Sequence, residues 1–174
     1  MKTEEIMEDV LLINSEHYYD DRGSFLEVYN KNLLSNMGNK NNFIQDNISF
    51  SNLKNTIRGL HYQKGPFQQS KLVYPIKGSI FDVFIDARPT SKNFGKFNSI
   101  ILDRPDKSLL IPRGFLHGFC TLEDNTIVGY KVDNPYNKNS ELGVKWDDVS
   151  LQIDWPLDNS VPILSKKDSN LLTW

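Results

Sequence analysis

The stretch Ile57-Arg58-Gly59-Leu60-His61-Tyr62-Gln63 places a cation, a glycine and an imidazole within seven residues of a strand-like run. An imidazole titrates near neutral pH, at about 6.5 in water, and is therefore a frequent general base. The chain contains three histidines, and His61 is the one beside an arginine in such a run. From these residues two interpretations stay open: a half-buried strand with a hydrogen-bonded histidine, or a strand that carries a catalytic base.

The alternation of side chains along a strand makes a joint role for Arg58 and His61 conditional. In a regular strand the two side chains face opposite sides of the sheet, because the period is two residues. Gly59 lies between them and can break the period through a bulge or kink. The sequence therefore predicts an irregularity at Gly59 that turns both side chains toward one pocket, and a regular strand there would refute the joint site.

Short β-favouring runs separated by turn residues surround this stretch on both sides, a pattern typical of an all-β sandwich or barrel. The runs that flank residues 77–78 are predicted to pair as a tight hairpin, and so are those that flank residues 123–124. Residues 24–29 alternate like a strand. One or two helical turns are expected over residues 31–37, followed by a polar loop over residues 39–42.

Length and composition favour one β-barrel domain over residues 1–174, with a C-terminal third that has few strand signals. Lys and Arg number 20 and Asp and Glu number 22, and the basic residues form no stripe, so nucleic acid is not an expected partner. No apolar run approaches the roughly 18 residues of a membrane span, and residues 1–9 are charged, unlike a signal peptide. The single cysteine, Cys120, agrees with a reducing cytoplasm and is expected to be buried.

Several kinds of site find little support in the sequence. The histidines are scattered at 17, 61 and 117, so no set of three or four metal ligands is apparent, and no metal is expected. Cys120 has no basic neighbour, and no serine stands in a nucleophile elbow. The glycines are dispersed and form no phosphate-binding loop.

Acid–base chemistry in the mouth of the barrel fits these residues better. His61 is the candidate base, Arg58 and Lys71 are cations that could hold a phosphate or stabilise an enolate, and Tyr130 could donate a proton. Each has an ordinary structural alternative. Arg58 could be a surface cation, Lys71 a charge at a strand edge, and Tyr130 a core aromatic residue.

An ordered series of motifs extends over nearly the whole chain, from about residue 10 to 168, and resembles the dTDP-4-dehydrorhamnose 3,5-epimerase family. The motifs are Asp21-Arg22-Gly23-Ser24-Phe25-Leu26-Glu27, Phe43-Ile44-Gln45-Asp46-Asn47, Arg58-Gly59-Leu60-His61-Tyr62-Gln63, Lys71-Leu72-Val73, Gly78 with Phe81-Asp82-Val83, Ile111-Pro112-Arg113-Gly114-Phe115-Leu116-His117-Gly118-Phe119, Tyr130-Lys131, Tyr136-Asn137, Asp154-Trp155-Pro156 and Leu164-Ser165-Lys166-Lys167-Asp168. No single motif is decisive, and the specificity comes from their number and order.

The resemblance implies a cupin-type β-barrel, or jelly roll, with short helices, that forms a homodimer without a metal or other cofactor. It implies a nucleotide-linked 4-keto-6-deoxy hexose as substrate, inverted at C3 and C5 by removal and return of protons. By motif, His61 resembles the base, Asp168 its orienting carboxylate, Tyr130 the acid on the other face, and Lys71 the group that stabilises the enolate.

The resemblance also implies a set of substrate-binding residues, and His117 is further expected to pair with Asp82. The set is Arg22, Phe25, Glu27, Gln45, Asn47, Arg58, His117 and Tyr136. His17 matches no motif and is expected to be a surface residue.

Two departures from the family pattern leave the exact substrate open. Tyr74 and Pro75 follow Lys71-Leu72-Val73 where a basic and a β-branched residue are expected, and Leu116 replaces a small residue before His117. Both changes could reshape the pocket. The pocket could then accept a related keto-sugar or a different nucleotide. No residue excludes an epimerase that inverts only C3, and a barrel that binds a sugar nucleotide without catalysis is the alternative from another class of protein.

Overall fold

A computed structural model describes residues 1–36, 38 and 41–174, and within them it contains thirteen strands and one short α-helix. Two 3-10 turns, Gly65–Phe67 and Asp168–Asn170, add to these. In chain order the elements are β1 (Lys2–Met7), β2 (Val10–Asn14), β3 (His17–Asp20), β4 (Gly23–Leu26), α1 (Lys31–Asn36), β5 (Gln45–Ser51), β6 (Ile57–Gln63), β7 (Lys71–Lys77), β8 (Ile80–Asp86), β9 (Phe97–Leu102), β10 (Lys107–Ile111), β11 (Phe115–Thr121), β12 (Thr126–Val132) and β13 (Glu141–Gly143).

Two antiparallel sheets form the barrel. One has six strands in the order β1-β2-β10-β7-β12-β5, and the other has five in the order β13-β6-β11-β8-β9. Apolar side chains of both sheets, such as Val73, Phe84 and Phe119, pack in the core between them. The prediction of an all-β jelly roll is confirmed, and strands β3 and β4 pair with each other as a separate two-stranded hairpin.

Each large sheet is also covered on part of its outer face. The C-terminal third packs on the five-stranded sheet through Leu151 and Trp155, and α1 covers the six-stranded sheet through Leu34. Every residue of β11 is buried as a result, and so is nearly every residue of β8. Strands buried on both faces lose the alternation of apolar and polar residues, which explains why β8 and β11 carry apolar residues on both faces.

Both predicted hairpins are wrong. Strand β7 belongs to the six-stranded sheet and β8 to the five-stranded sheet, and β11 and β12 are divided in the same way. The connections at residues 77–79 and 122–125 are tight, but each crosses from one sheet to the other. A continuous apolar run is compatible with pairing to a neighbour or crossing the core, so the sequence could not separate the two topologies.

The observed bounds of other strands and of the helix differ from the predicted ones by a few residues. The strand expected over residues 24–29 ends at Leu26, and α1 ends at Asn36, while residues 37, 39 and 40 of the predicted helix end and loop lie outside the described residues. Two edge strands, β1 and β13, had no sequence signal. The first is charged and exposed, and the second is only three residues long, so neither shows an apolar period.

Cys120 is fully buried, as expected for a packing role. Among the described residues, no helix has the length and apolar character that crossing a membrane requires.

Candidate active site

The irregularity predicted at Gly59 is present and is a β-bulge. Between the pairs His61 with His117 and Arg58 with Phe119, two residues of β6 face the single residue Gly118 of β11. Gly59 has a φ of +123°, and a Cβ added there would lie 2.6 Å from the Cα of Gly118. Glycine is therefore required at this close approach, and the extra residue allows Arg58 and His61 to line the same cavity.

This cavity lies between the two sheets and has a volume of about 530 Å³, which is within the usual range for small-molecule sites. Strands from both sheets and the segment 163–168 from the C-terminal third form its walls. Its lining residues are Ser49, Thr56, Arg58, His61, Lys71, His117, Phe119, Tyr130, Ile163, Leu164, Ser165, Lys167 and Asp168. All four residues expected to be catalytic are among them.

His61 and Asp168 form a histidine–carboxylate pair across 107 residues of sequence. The Nε2 atom of His61 lies 2.8 Å from Oδ1 of Asp168, which is 4% exposed. Because a carboxylate accepts, Nε2 donates the proton and leaves Nδ1 as the basic nitrogen of the neutral ring. The Asp168 backbone N–H donates to the Ser165 hydroxyl at 3.0 Å, and the Gly59 N–H approaches the carboxylate at 3.4 Å.

The charge of Asp168 is stabilised by these contacts. Burial raises its pKa, but the hydrogen bond and charge of His61 and the bonds from Gly59 and Ser165 hold the pKa below its ordinary value. The carboxylate therefore remains ionised near neutral pH and can orient the His61 ring.

A second histidine–carboxylate pair lies beside the first. Nε2 of His117 lies 3.1 and 2.9 Å from the two carboxylate oxygens of Asp82, which confirms the expected pair. Asp82 is fully buried and His117 is 7% exposed. Burial lowers the pKa of His117, Asp82 opposes this, and the nearby Lys71 cation lowers it further, so His117 is held in its neutral form.

Lys71 and Tyr130 face these histidines from the six-stranded sheet. On the paired strands β7 and β12, Lys71 is opposite Val132 and Tyr130 is opposite Val73. Burial lowers the pKa of the Lys71 amine to about 8, although the Asp82 and Glu141 charges oppose this, and burial raises the pKa of the Tyr130 phenol. Neither polar group has a hydrogen-bond partner among the described residues, so both can donate to a ligand.

The predicted binding residues divide into two groups. Arg58 and His117 line the cavity, and the Arg58 guanidinium is held by the Ser51 hydroxyl at 3.1 Å and the Phe50 carbonyl at 2.8 Å. The remaining six do not line it. These six are Arg22, Phe25, Glu27, Gln45, Asn47 and Tyr136.

The six residues outside the cavity have other surroundings. Arg22 and Phe25 are exposed on the β3–β4 hairpin, where Arg22 pairs with Asp20. Glu27 is exposed after β4, and on β5 the Gln45 amide donates to Asn47. The Tyr136 hydroxyl donates to Glu141 at 2.8 Å.

Sequence reasoning missed several residues of the cavity wall. Ser49 shares the inner face of β5 with Asn47, so strand alternation could have identified it. Lys167 precedes Asp168 in the motif Leu164-Ser165-Lys166-Lys167-Asp168. Phe119, Thr56 and the apolar residues of segment 163–164 carry no chemical signature, and only the fold places them there.

The departures from the family pattern lie away from the cavity. Tyr74 alternates with Lys71 and Val73 along β7, and its ring lies over Gly129. Leu116 is fully buried on the face of β11 that packs on the C-terminal third. Neither these residues nor Pro75 line the cavity. In the part of the chain that the structure describes, no group of three potential metal ligands occurs.

Comparison with known proteins connects this geometry to a family. The family model for dTDP-4-dehydrorhamnose 3,5-epimerase matches residues 4–174. The chain is 44% identical to the dTDP-4-dehydrorhamnose 3,5-epimerase of Shigella flexneri over 172 residues, which cover 98% of this chain and 92% of that protein.

Solved structures give the same result. The dTDP-4-dehydrorhamnose 3,5-epimerase of Bacillus anthracis, crystallised with TDP and PPi bound, superposes with a TM-score of 0.92 at 45% identity, covering 95% of this chain and 94% of that one. The Legionella pneumophila enzyme in complex with dTDP-4-keto-L-rhamnose gives 0.90 at 36% identity, covering 97% and 89%. With the sequence match over nearly its whole length, the chain belongs to the dTDP-4-dehydrorhamnose 3,5-epimerase family.

Proposed function

We propose that the chain is an isomerase that inverts C3 and C5 of a dTDP-linked 4-keto-6-deoxy hexose, converting dTDP-4-dehydro-6-deoxyglucose into dTDP-4-dehydrorhamnose. Family membership supports this activity, as does the dTDP-4-keto-L-rhamnose bound by the Legionella relative. The observation that carries the proposal is the His61–Asp168 pair facing Lys71 and Tyr130 in one cavity.

The C4 ketone makes this chemistry accessible. It acidifies the hydrogens on C3 and C5, because the carbanion left by deprotonation is delocalised onto the ketone oxygen as an enolate. In the proposed reaction His61 removes a proton, Lys71 donates to the developing enolate oxygen, and a proton returns to the opposite face of the same carbon. The base then gives its proton to solvent and the acid recovers one from solvent, so no atom is gained or lost overall. The same sequence at the second carbon completes the inversion.

The positions of the base and the acid suit this sequence. His61 belongs to the five-stranded sheet and Tyr130 to the six-stranded sheet, so a sugar between the sheets has the two groups on opposite sides. In the proposal His61 takes the proton from one face and Tyr130 supplies a proton to the other. The neutral Tyr130 phenol is favoured by burial, which raises its pKa and keeps its proton available.

The experiment that tests this function is solvent isotope exchange. The purified chain would be incubated with dTDP-4-keto-6-deoxyglucose in deuterated water, and deuterium at each carbon measured by NMR. Label at both C3 and C5 is expected. Label at C3 alone would assign a C3-only epimerase, and no label would overturn both. Ligand binding that survives His61→Ala, without exchange in the parent, would identify a non-catalytic binding barrel.

A homodimer is part of the proposal. The edge strand β5 exposes Ile48 and Phe50, and the β3–β4 hairpin exposes Tyr19 and Phe25, so apolar area is available for a second copy. We propose that Arg22, Phe25 and Glu27 bind the substrate in the partner's cavity. This accounts for their distance from the cavity of their own chain.

Mixing two inactive variants tests the shared site. One is His61→Asn and the other is Arg22→Ala, assayed at low substrate concentration after co-refolding. If the hairpin serves the partner, the mixed dimer contains one cavity with both residues intact, and activity returns. If Arg22 serves its own chain, every cavity lacks one residue and activity stays low. A monomer in size-exclusion chromatography would also overturn the dimer.

The substrate calls for no cofactor in this scheme, since each step is a proton transfer. The reaction is proposed to take place in the cytoplasm in a single domain that spans residues 1–174. The unpaired, buried Cys120 is consistent with that compartment.

A further inference from the structure

Gln63, the last residue of β6, is buried and takes no part in the proposed proton transfers. It is 4% exposed and does not line the cavity. It lies at the end of the barrel where β6 and β12 end and β7 begins. Two loops meet there, the β6–β7 loop of residues 64–70 and the β12–β13 loop of residues 133–140, and the side-chain amide of Gln63 joins them.

Both ends of this amide are used. Nε2 donates to the Phe67 carbonyl at 2.7 Å and to the Pro135 carbonyl at 3.1 Å, and Oε1 accepts from the Asn137 backbone N–H. An amide supplies two donors and an acceptor at this length. A carboxylate could not donate to the two carbonyls, and an apolar side chain would leave three backbone groups without this partner, so a glutamine suits the position.

The bonds of Gln63 hold the residues on both sides of Tyr136. Tyr136 is 56% exposed, and its hydroxyl donates to Glu141 at 2.8 Å. The ring is therefore fixed at its backbone and at its hydroxyl, although more than half of its surface is exposed. An aromatic ring held in this way can stack on a flat ligand group at a small cost in conformational entropy.

The position of Tyr136 indicates which part of the substrate it would contact. The ring does not line the cavity in which His61 and Tyr130 are proposed to flank the sugar. It lies one side chain away, because Glu141 also accepts from Lys167 of the cavity wall. The nucleotide is attached to C1 of the sugar and extends out of the cavity, and its base is a flat group that stacks on aromatic rings.

We propose that Gln63 is a positioning residue for nucleotide binding, which holds the β12–β13 loop so that the Tyr136 ring is in place to stack on the base. This inference rests on the function proposed above, which supplies the nucleotide. Gln63 acts through Tyr136 and reaches no reacting atom. Its loss should therefore weaken substrate binding and leave the proton transfers intact.

The test is a double-mutant cycle in the full chain. Gln63→Met removes the three bonds at nearly constant side-chain length, Tyr136→Ala removes the ring, and the double variant combines both changes. Steady-state kcat and KM are measured for each variant, and the affinity for dTDP is measured by calorimetry.

Gln69→Met is the matched control. Gln69 donates one bond, at 2.6 Å, to the Asn134 carbonyl of the same β12–β13 loop. The Asn134 side chain holds this part of the loop independently, because it donates to the Pro66 and Gln68 carbonyls. Loss of the Gln69 amide therefore leaves the bonds on both sides of Tyr136 in place.

In Gln63→Met we expect KM to rise and the affinity for dTDP to fall, each about tenfold, with kcat changed less than about threefold, because only binding is affected. Tyr136→Ala should show at least the same loss. The double variant should lose no more than Tyr136→Ala, since Gln63 acts through the ring. Gln69→Met should stay within about threefold of the parent in all three quantities.

Effects of Gln63→Met and Tyr136→Ala that add in the double variant would overturn the positioning role, and so would a fall of kcat at constant KM. If Gln63→Met fails to fold, Gln63→Glu takes its place in the cycle, because it keeps the acceptor for Asn137 and loses both donors. A parent that does not bind dTDP would overturn the inference. A parent that binds dTDP without epimerising the substrate would contradict the proposed function alone, and the dTDP affinities would still decide the role of Gln63.

Discussion

The two sheets equip the cavity differently. Both imidazoles, His61 and His117, belong to the five-stranded sheet, and each is bonded to a buried carboxylate. The Lys71 amine and the Tyr130 phenol belong to the six-stranded sheet and have no hydrogen-bond partner among the described residues. One wall is therefore oriented before a substrate arrives, and the other keeps its donors free for the substrate.

This difference matches the needs of the proposed reaction. A base must hold one tautomer and one ring orientation, which a carboxylate partner fixes. A group that stabilises an enolate or returns a proton must direct its hydrogen at the substrate, so an internal partner would compete with that task.

Loss of the base should have the largest effect. His61→Asn should lower exchange at C3 and C5 by about 10⁴-fold, at the upper end of what a proton-transfer group contributes. Deuterium incorporation measures this, with dTDP binding as the control for an intact fold. Exchange equal to that of the parent would remove His61 from its role.

Loss of the carboxylate partner should have the next largest effect. In Asp168→Asn a neutral amide replaces the carboxylate that accepts the proton of Nε2, so the His61 ring loses its preferred tautomer. We therefore expect kcat to fall about 10³-fold. Asp154→Asn is the matched control, because Asp154 is exposed and has no ion pair among the described residues. A kcat close to that of the parent in Asp168→Asn would show that His61 needs no carboxylate partner.

Loss of the free phenol should be milder. Tyr130→Phe removes the proposed acid but leaves His61 and Lys71 in place, so inversion should fall about 10²-fold while measurable exchange remains. Tyr62→Phe is the matched control, since that ring packs on the outer face of the five-stranded sheet. Complete loss of exchange in Tyr130→Phe would instead place Tyr130 in the deprotonation step.

The pH dependence of Lys71 should give the smallest effect. Its pKa of about 8 is below the ordinary 10.5, so the cation is present at pH 7 and is lost as the pH rises through about 8. Above that point kcat/KM, which reports groups of the free enzyme, should fall about tenfold per pH unit. Between 8 and 10.5 the unfolded chain binds more protons, so the free energy of unfolding gains a positive slope with pH from this group. A kcat/KM that stays constant up to about pH 10 would contradict the role of Lys71 as a cation.

The bulge shows how far local sequence reasoning reached. Strand alternation separates Arg58 from His61, and the glycine between them was enough to predict the irregularity that joins them. The same reasoning failed for β7 with β8 and β11 with β12. A glycine indicates a conformational requirement of the backbone at its own position. Whether two consecutive strands pair with each other or lie in different sheets depends instead on strands that are remote in the sequence.

The sequence by itself determined the all-β class, the strand around His61, the need for glycine at position 59 and, through ordered motifs, the family. These properties depend on side-chain period, backbone freedom and residue identity, which are local. Only the tertiary structure decided that His61 and Tyr130 lie on opposite walls, that Asp168 meets His61 and that Arg22 lies outside its own cavity. Those facts depend on contacts between residues far apart in the chain, and such contacts are set by the packing of the two sheets and the C-terminal segment.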